Sequence, residues 1–250
     1  MASGKSLEGK TALVTGAAKR LGRSVALALA ENGANVLLHY NGSDREMSLT
    51  AEIARAMGVR VWPIRADFSL PDGADTLFKA AAAAAGRMDI LVNNASIFPT
   101  DRLDGAIWEG LAENLKVNAW APMALTRAFA AQGHQGAVVN LLDARIHDYD
   151  SEHLSYHLSK RMLHSLTRMA ALEYAPKVRV NAVAPGLILP PAGEDISYLD
   201  ALADTNPLQR IGREEDVVNS VIFLLTNPFI TGQTIYVDGG RHMKGNIYGG

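Results

Sequence analysis

Cysteine is absent from this 250-residue chain, which excludes disulfides, iron–sulfur clusters and thiolate metal sites and suits a reducing compartment. A surplus of basic charge is absent as well. Lys and Arg number 24 against 26 Asp and Glu, a formal charge of −2, and no basic run is dense enough for a nucleic-acid footprint. Uncharged apolar residues nowhere run for 18 positions, so no membrane span is expected. The first ten residues lack the apolar core of a secretory signal. Repeats, low-complexity tracts and linker-like shifts in composition are missing too. These absences leave a cytoplasmic protein with a small-molecule partner, and neither nucleic acid nor membrane, as the expectation. What is present, 48% hydrophobic and 20% charged residues, is an ordinary globular composition. It fits one large α/β domain or two small ones.

Short apolar, β-favouring runs at 11–15, 35–40, 59–66, 88–92, 137–142, 178–183 and 233–237 predict seven strands. Helical spacing falls between them, at 21–32, 44–57, 73–85, 107–132, 153–174 and 216–225. Strands this apolar have no face to give to solvent. The pattern therefore predicts one doubly wound Rossmann-type α/β domain over 1–250, a mostly parallel seven-stranded sheet with helices on both faces. Residues 187–213, with Pro190-Pro191 and the acidic Glu194 and Asp195, read as a long irregular lid over a substrate. Ligands in such sheets bind beyond the carboxyl ends of the strands. Gly16, Asn94, Asp143 and Pro185 all fall at such ends and are expected around one crevice.

Chemistry gathers at those ends. Thr15-Gly16-Ala17-Ala18-Lys19-Arg20-Leu21-Gly22 is a glycine-bearing turn from strand into helix, which lets backbone N–H groups and the helix dipole face a pyrophosphate; an ordinary βα turn is the alternative. Arg20 serves the anion there or snorkels over the first helix. The second strand closes on His39, Tyr40, Asn41, Gly42 and Ser43, with no acid before Asp44 to grip a ribose 2′-hydroxyl. With Lys19 in the glycine loop, the pattern favours NADP over NAD. Asp67, with Phe68 beside it in the cofactor site, accepts from the adenine amino group or caps a helix. Tyr156 and Lys160 lie at i and i+4 on one helix face, where an ammonium beside a phenol favours the phenolate; a solvated Tyr–Lys pair is the alternative. His153 and His157 have a zinc-compatible spacing, but Leu154 follows the first and no metal site is expected.

Taken together, Thr15-Gly16…Gly22, Asn93-Asn94-Ala95, Asn118, Tyr156…Lys160 and Pro185-Gly186 resemble the short-chain dehydrogenase/reductase family over essentially the whole chain. The resemblance implies that Tyr156 donates the proton. Lys160 lowers its pKa and holds the nicotinamide ribose, and Asn118 anchors a water in the proton relay. It also implies cofactor contacts from Leu21, Gly22, Asn94, Ala95, Ser96, Pro185, Gly186 and Leu187. Two departures are informative. Arg20 stands where most members have a middle glycine, and Asp143 stands where most have a serine thirteen residues before the tyrosine. Both departures, with Asn94-Ala95-Ser96-Ile97-Phe98, look like the pteridine reductases. The stretches Ala184-Pro185-Gly186-Leu187-Ile188-Leu189 and Asp238-Gly239-Gly240-Arg241-His242 look like bacterial dihydromonapterin reductase. In that subgroup the residues matching Arg20, Ser96 and Phe98 line the pterin site, with the aromatic stacked on the ring. The basic residue found there after the second strand is replaced by Gly42, so the NADP preference rests on Lys19, Ser43 and the missing acid.

The chemistry of Asp143 agrees. An ionised carboxylate offers only acceptors and suits the amino and ring N–H groups of a pterin better than a ketone oxygen; a solvated strand-end acid is the alternative. The expected activity is NADPH-dependent reduction of a C=N bond in a pterin. A ketone reductase acting on 3-oxoacyl or sugar substrates and a non-catalytic NADP-binding regulator are the alternatives. Apolar stripes at Leu111, Leu115, Asn118, Pro122 and Leu125, and at Leu163, Leu166 and Ala170, together with the resemblance, predict a homotetramer. The tail 244–250 is expected at a subunit contact.

Overall fold

A computed structural model describes residues 5–147, 151–191 and 193–244. The expected tail contact at 245–250 lies outside them. Among the described residues seven strands pair in the order β3-β2-β1-β4-β5-β6-β7, and every pair is parallel. They are β1 (Thr11–Val14), β2 (Asn35–Tyr40), β3 (Val61–Arg65), β4 (Ile90–Asn93), β5 (Gly136–Leu141), β6 (Val178–Pro185) and β7 (Thr234–Val237). Central β1 and β4 are buried at every position, as strands covered on both faces must be. Their side chains alternate. Ala12, Val14, Val36, Leu38, Ile90 and Val92 meet α1 (Arg20–Glu31), α2 (Asp44–Ala56) and α8 (Glu214–Thr226). Leu13, Leu37, Leu91 and Val138 meet α3 (Gly73–Ala85), α5 (Ala121–Ala131) and α6 (Leu154–Glu173) on the other face. Leu13 and Leu37 are fully buried, and truncating either to alanine costs about 2–5 kcal/mol. This is the doubly wound Rossmann-type domain expected from the pattern.

Several expectations are corrected. The single helix at 107–132 is three pieces: α4 (Trp108–Leu115), a π-helical turn over Lys116–Trp120, and α5. Pro122 in the first turn of α5 has no N–H for an unbroken ladder, and the wider turn accommodates it. β3 is shorter than 59–66, with Pro63 tolerated because the strand is at the sheet edge. The lid is not wholly irregular, since it holds α7 (Ile196–Asp200) and a 3₁₀ turn at Ala203–Thr205. A last helical turn, α9 (Arg241–Lys244), follows β7. The apolar stripes are partly internal, with Leu125 and Leu163 in the protein's own core. The exposed apolar side chains nearby are instead Trp120, Met169 and Leu172. Among the described residues no helix is long and apolar enough to cross a membrane.

Candidate active site

The strand order reverses between β1 and β4, and the two strand ends are tied across that point. Thr15 Oγ1 accepts from the N–H groups of Asn94 at 2.9 Å and Ala95 at 3.0 Å. Asn94 Nδ2 donates to the carbonyls of Thr15 at 2.9 Å and Gly16 at 3.2 Å. Gly16 has φ +66°, and a Cβ there would lie 2.9 Å from Ala95 Cα. At Gly22 a Cβ would lie 2.2 Å from the Gly16 carbonyl oxygen, so only glycine allows α1 to start this close to the turn. Lys19 precedes α1 with no side-chain cap on the helix, which leaves first-turn N–H groups facing the cleft. That cleft, about 610 Å³, takes in every cofactor contact expected between Gly16 and Ser96, together with Ser69, Ile97, Glu113 and Val117.

Three residues lining the cleft are held by partners within the protein. His39 is 3% exposed and offers no free ring nitrogen. Its Nδ1 accepts from Gly16 N–H at 3.2 Å, its Nε2 donates to the Ala66 carbonyl at 3.2 Å, and its ring stacks on Phe68 at 4.3 Å. Burial pushes its pKa down to about 4, so the ring is neutral. His39 is therefore a brace holding the ends of β1, β2 and β3 together. Asp67 Oδ1 accepts from Ser69 N–H at 2.8 Å, which with the Ser69 hydroxyl holds the carboxyl below its ordinary value. It is not a helix cap, because α3 begins after Asp72. Arg20 sits at φ +54°, and its guanidinium does not lie along α1. It reaches the lid, donating to the Pro190 carbonyl at 2.6 Å.

A second group of residues meets at the ends of β5 and α6. The Tyr156 hydroxyl donates to Asp143 Oδ2 at 3.0 Å, and Asp143 Oδ1 accepts from Arg145 N–H at 2.7 Å. Lys160 Nζ donates to the Leu141 carbonyl at 2.9 Å and lies 5.6 Å from the Tyr156 ring centre. Burial first, then the charge and hydrogen bond of Asp143, push the phenol pKa well above its ordinary value. Burial draws Lys160 down to about 8 against the pull of Asp143. The phenol is thus shifted up rather than down as expected beside Lys160, first because it is buried and then because its hydrogen-bond partner is the Asp143 carboxylate. Phe98, 45% exposed, stands edge-on to Tyr156 at 4.5 Å and stacks on His153 at 4.0 Å. Ser96 is exposed, with its hydroxyl toward the Ile97 carbonyl.

Asn118, on the π-helical turn, is fully buried. Its Oδ1 accepts from Ile97 N–H at 2.8 Å, and its Nδ2 donates to the Ile97 carbonyl at 2.9 Å and Ser159 Oγ at 3.0 Å. The side chain thereby braces the segment before Phe98 against α6. Pro185, Gly186 and Leu187 do not join the glycine cleft. The Pro185 carbonyl accepts from Ala144 N–H at 2.9 Å, beside Asp143. Gly186 packs on Asp238, and Leu187 walls a separate cavity of about 480 Å³ with Tyr236 and Asp238. Among the described residues no cluster of three or more metal-ligating side chains forms. The bonding role of Thr15 was not foreseen, and sequence reasoning missed Ser159, Asp101 and Ser155. The last two meet across 54 residues, and no local pattern announces such a pair.

Known proteins resemble this chain in sequence and fold. The enoyl-(acyl carrier protein) reductase family model matches residues 16–242. A 3-oxoacyl-[acyl-carrier-protein] reductase FabG of Staphylococcus epidermidis is 35% identical over 243 residues, covering 94% of this chain and 99% of its own. The crystal structure of FolM alternative dihydrofolate reductase 1 from Brucella canis, complexed with NADP, superposes with a TM-score of 0.90 at 31% identity, over 96% of each chain. A short chain dehydrogenase from Burkholderia cenocepacia in complex with NADP gives a TM-score of 0.89 at 30% identity, over 94% of this chain and 99% of its own.

Proposed function

This chain belongs to the short-chain dehydrogenase/reductase family of oxidoreductases, and from that premise we propose that it reduces a C=N bond of a pterin-type ring with NADPH. The observation that carries this is the 3.0 Å hydrogen bond from Tyr156 to Asp143. A carboxylate beside the proton donor presents acceptors to a substrate's amino and ring N–H groups and repels a carbonyl oxygen. It also keeps the phenol protonated, as a donor to a ring nitrogen requires. The FolM protein, named as an alternative dihydrofolate reductase, supports the same substrate class.

The cleft fits NADPH. Gly16 and Gly22 leave room where any Cβ would strike backbone, first-turn N–H groups of α1 serve a pyrophosphate, and no acid ends β2 to oppose a 2′-phosphate beside Lys19 and Ser43. Lys160 would hold the nicotinamide ribose. When bound, NADPH supplies the hydride. Tyr156 holds the proton at its phenol oxygen and passes it to the ring nitrogen, Asp143 orients the N–H donors of the ring, and the exposed ring of Phe98 packs against it. Arg20, already at the lid, closes the far side of the site. We further propose a homotetramer built on the exposed Trp120, Met169 and Leu172; light scattering at micromolar concentration would return the mass of a monomer if this is wrong.

The FabG relative, at 35% identity, favours a second reading, reduction of a 3-oxoacyl ketone. NADPH consumption measured with dihydrobiopterin and with acetoacetyl-CoA separates the two, and no turnover on either favours a non-catalytic regulator. Asp143→Ser and Asp143→Asn should each lose about 10²-fold or more in pterin turnover while NADPH affinity, read by fluorescence, stays close to wild type. Wild-type turnover in both variants would make Asp143 a bystander and remove the main support for a pterin.

A further inference from the structure

Helix α6 carries Tyr156 and Lys160, yet its own N-cap residue, His153, supplies no side-chain cap. The cap comes from Asp101, 54 residues before Ser155. The Ser155 N–H lies 3.2 Å from each oxygen of the Asp101 carboxylate, and the Ser155 hydroxyl donates to Oδ2. Two backbone hydrogen bonds reinforce the contact, Asp101 N–H to the Glu152 carbonyl at 2.8 Å and Leu154 N–H to the Asp101 carbonyl at 3.2 Å. These make an isolated parallel bridge between Asp101 and His153. A carboxylate at a helix N-terminus is favoured by the helix dipole as well as by the hydrogen bonds, and Ser155 is 1% exposed, so water competes little for them.

The position of this clamp matters more than its strength. Ser155 is the residue before Tyr156. Asp101 lies three residues beyond Phe98, and Pro99 between them restricts Phe98 to extended backbone. On its other flank Phe98 follows Ile97, whose N–H and carbonyl are both held by Asn118. Phe98 is thus suspended between two fixed points, the π-helical turn and the start of α6, with its ring stacked on His153 and edge-on to Tyr156.

We propose that Asp101 is a positioning residue: its carboxylate fastens the segment bearing Phe98 to the N-terminus of α6 and so sets where a stacked substrate ring sits relative to the Tyr156 phenol. The proposal rests on the function above for the identity of that ring, though the clamp is independent of it. Asp101 is not among the residues lining the glycine cleft and acts through Phe98 and Ser155.

The full-length Asp101→Ala and Asp101→Asn variants test this by steady-state kinetics with dihydrobiopterin, NADPH affinity by fluorescence, and hydrogen–deuterium exchange over 97–105. For Asp101→Ala, kcat/KM for dihydrobiopterin should fall about 10- to 100-fold, the scale set by a displacement of about 1 Å at a reacting centre. NADPH affinity should stay within about twofold, and exchange should quicken over 97–105 but not over the glycine loop. Asp101→Asn keeps one acceptor for the Ser155 amide and should fall between alanine and wild type. Unchanged kcat/KM and unchanged exchange overturn the proposal. So does a loss of NADPH affinity in step with pterin turnover, which reduces Asp101 to a cap on α6. If the wild type fails to reduce dihydrobiopterin while Asp101→Ala still loosens 97–105 alone, the substrate assignment fails and the clamp stands.

Discussion

Replacing His39 with phenylalanine should change how stability depends on pH, by an amount that follows from the burial of the ring. In the folded protein its pKa falls from the ordinary 6.5 to about 4. Above pH 6.5 the ring is neutral in both states and costs nothing. As pH falls below 6.5 the unfolded chain takes up a proton that the folded protein refuses, so stability drains away until the folded ring titrates near pH 4. At about 1.4 kcal/mol per tenfold change in the protonation equilibrium, the whole loss is about 3 kcal/mol. Phenylalanine keeps the stack on Phe68 but removes the acceptor for Gly16 N–H and the donor to the Ala66 carbonyl. Each buried group left without a partner costs about 1–3 kcal/mol, so the variant should be less stable at pH 7. The two stability curves should then draw together toward pH 4. Urea unfolding from pH 4 to 8 measures this, and the difference between the two proteins isolates His39 from the carboxylates they share. Parallel curves over pH 4–6.5 would refute the reasoning. Because Gly16 belongs to the cofactor turn, NADPH affinity should fall in the same variant.

Three further outcomes follow from the site. NADPH should be preferred to NADH by at least about tenfold, or about 1.4 kcal/mol, with Lys19→Ala removing much of the difference; equal specificity constants for the two cofactors would contradict it. Lys160 titrates near pH 8 in the free protein, so kcat/KM for NADPH should decline as pH rises through about 8, because the ammonium is lost there. The phenol, held protonated by burial and Asp143, adds no rising limb in that range, and a flat profile to pH 10 would show that the Lys160 charge is not needed. Gly22→Ala places a Cβ 2.2 Å from a backbone oxygen and 2.4 Å from Asn94 Nδ2. It should destabilise the protein by about 1–3 kcal/mol and weaken NADPH binding at least about tenfold; a melting temperature and affinity equal to wild type would refute the close approach.

How much was legible beforehand differs between the fold and the site. Strands such as β1 and β4, apolar at every position, leave no choice but a sheet covered on both faces, and alternation with helical spacing then makes it parallel. The tight turn at Gly16, the absence of an acid at the end of β2 and the one-turn spacing of Tyr156 and Lys160 are local facts, written in neighbouring residues. All of these could be read from the chain as a string. What the string could not supply are relations between distant residues. His39 lines the cleft, but only the fold shows both its ring nitrogens held by Gly16 and Ala66. Lys160 was expected to tune Tyr156, whereas in the fold the phenol donates to Asp143 and Lys160 donates to the Leu141 carbonyl. The capping of α6 by Asp101 and the bracing of Ile97 by Asn118 join residues 54 and 21 positions apart. Such pairings depend on where the folded sheet places its strand ends, and a hydrogen bond decided at 3 Å leaves no periodic trace in sequence. Periodicity and backbone sterics therefore set the architecture locally, while the protonation states and the aim of the groups at the site were decided only when burial and long-range contacts came together.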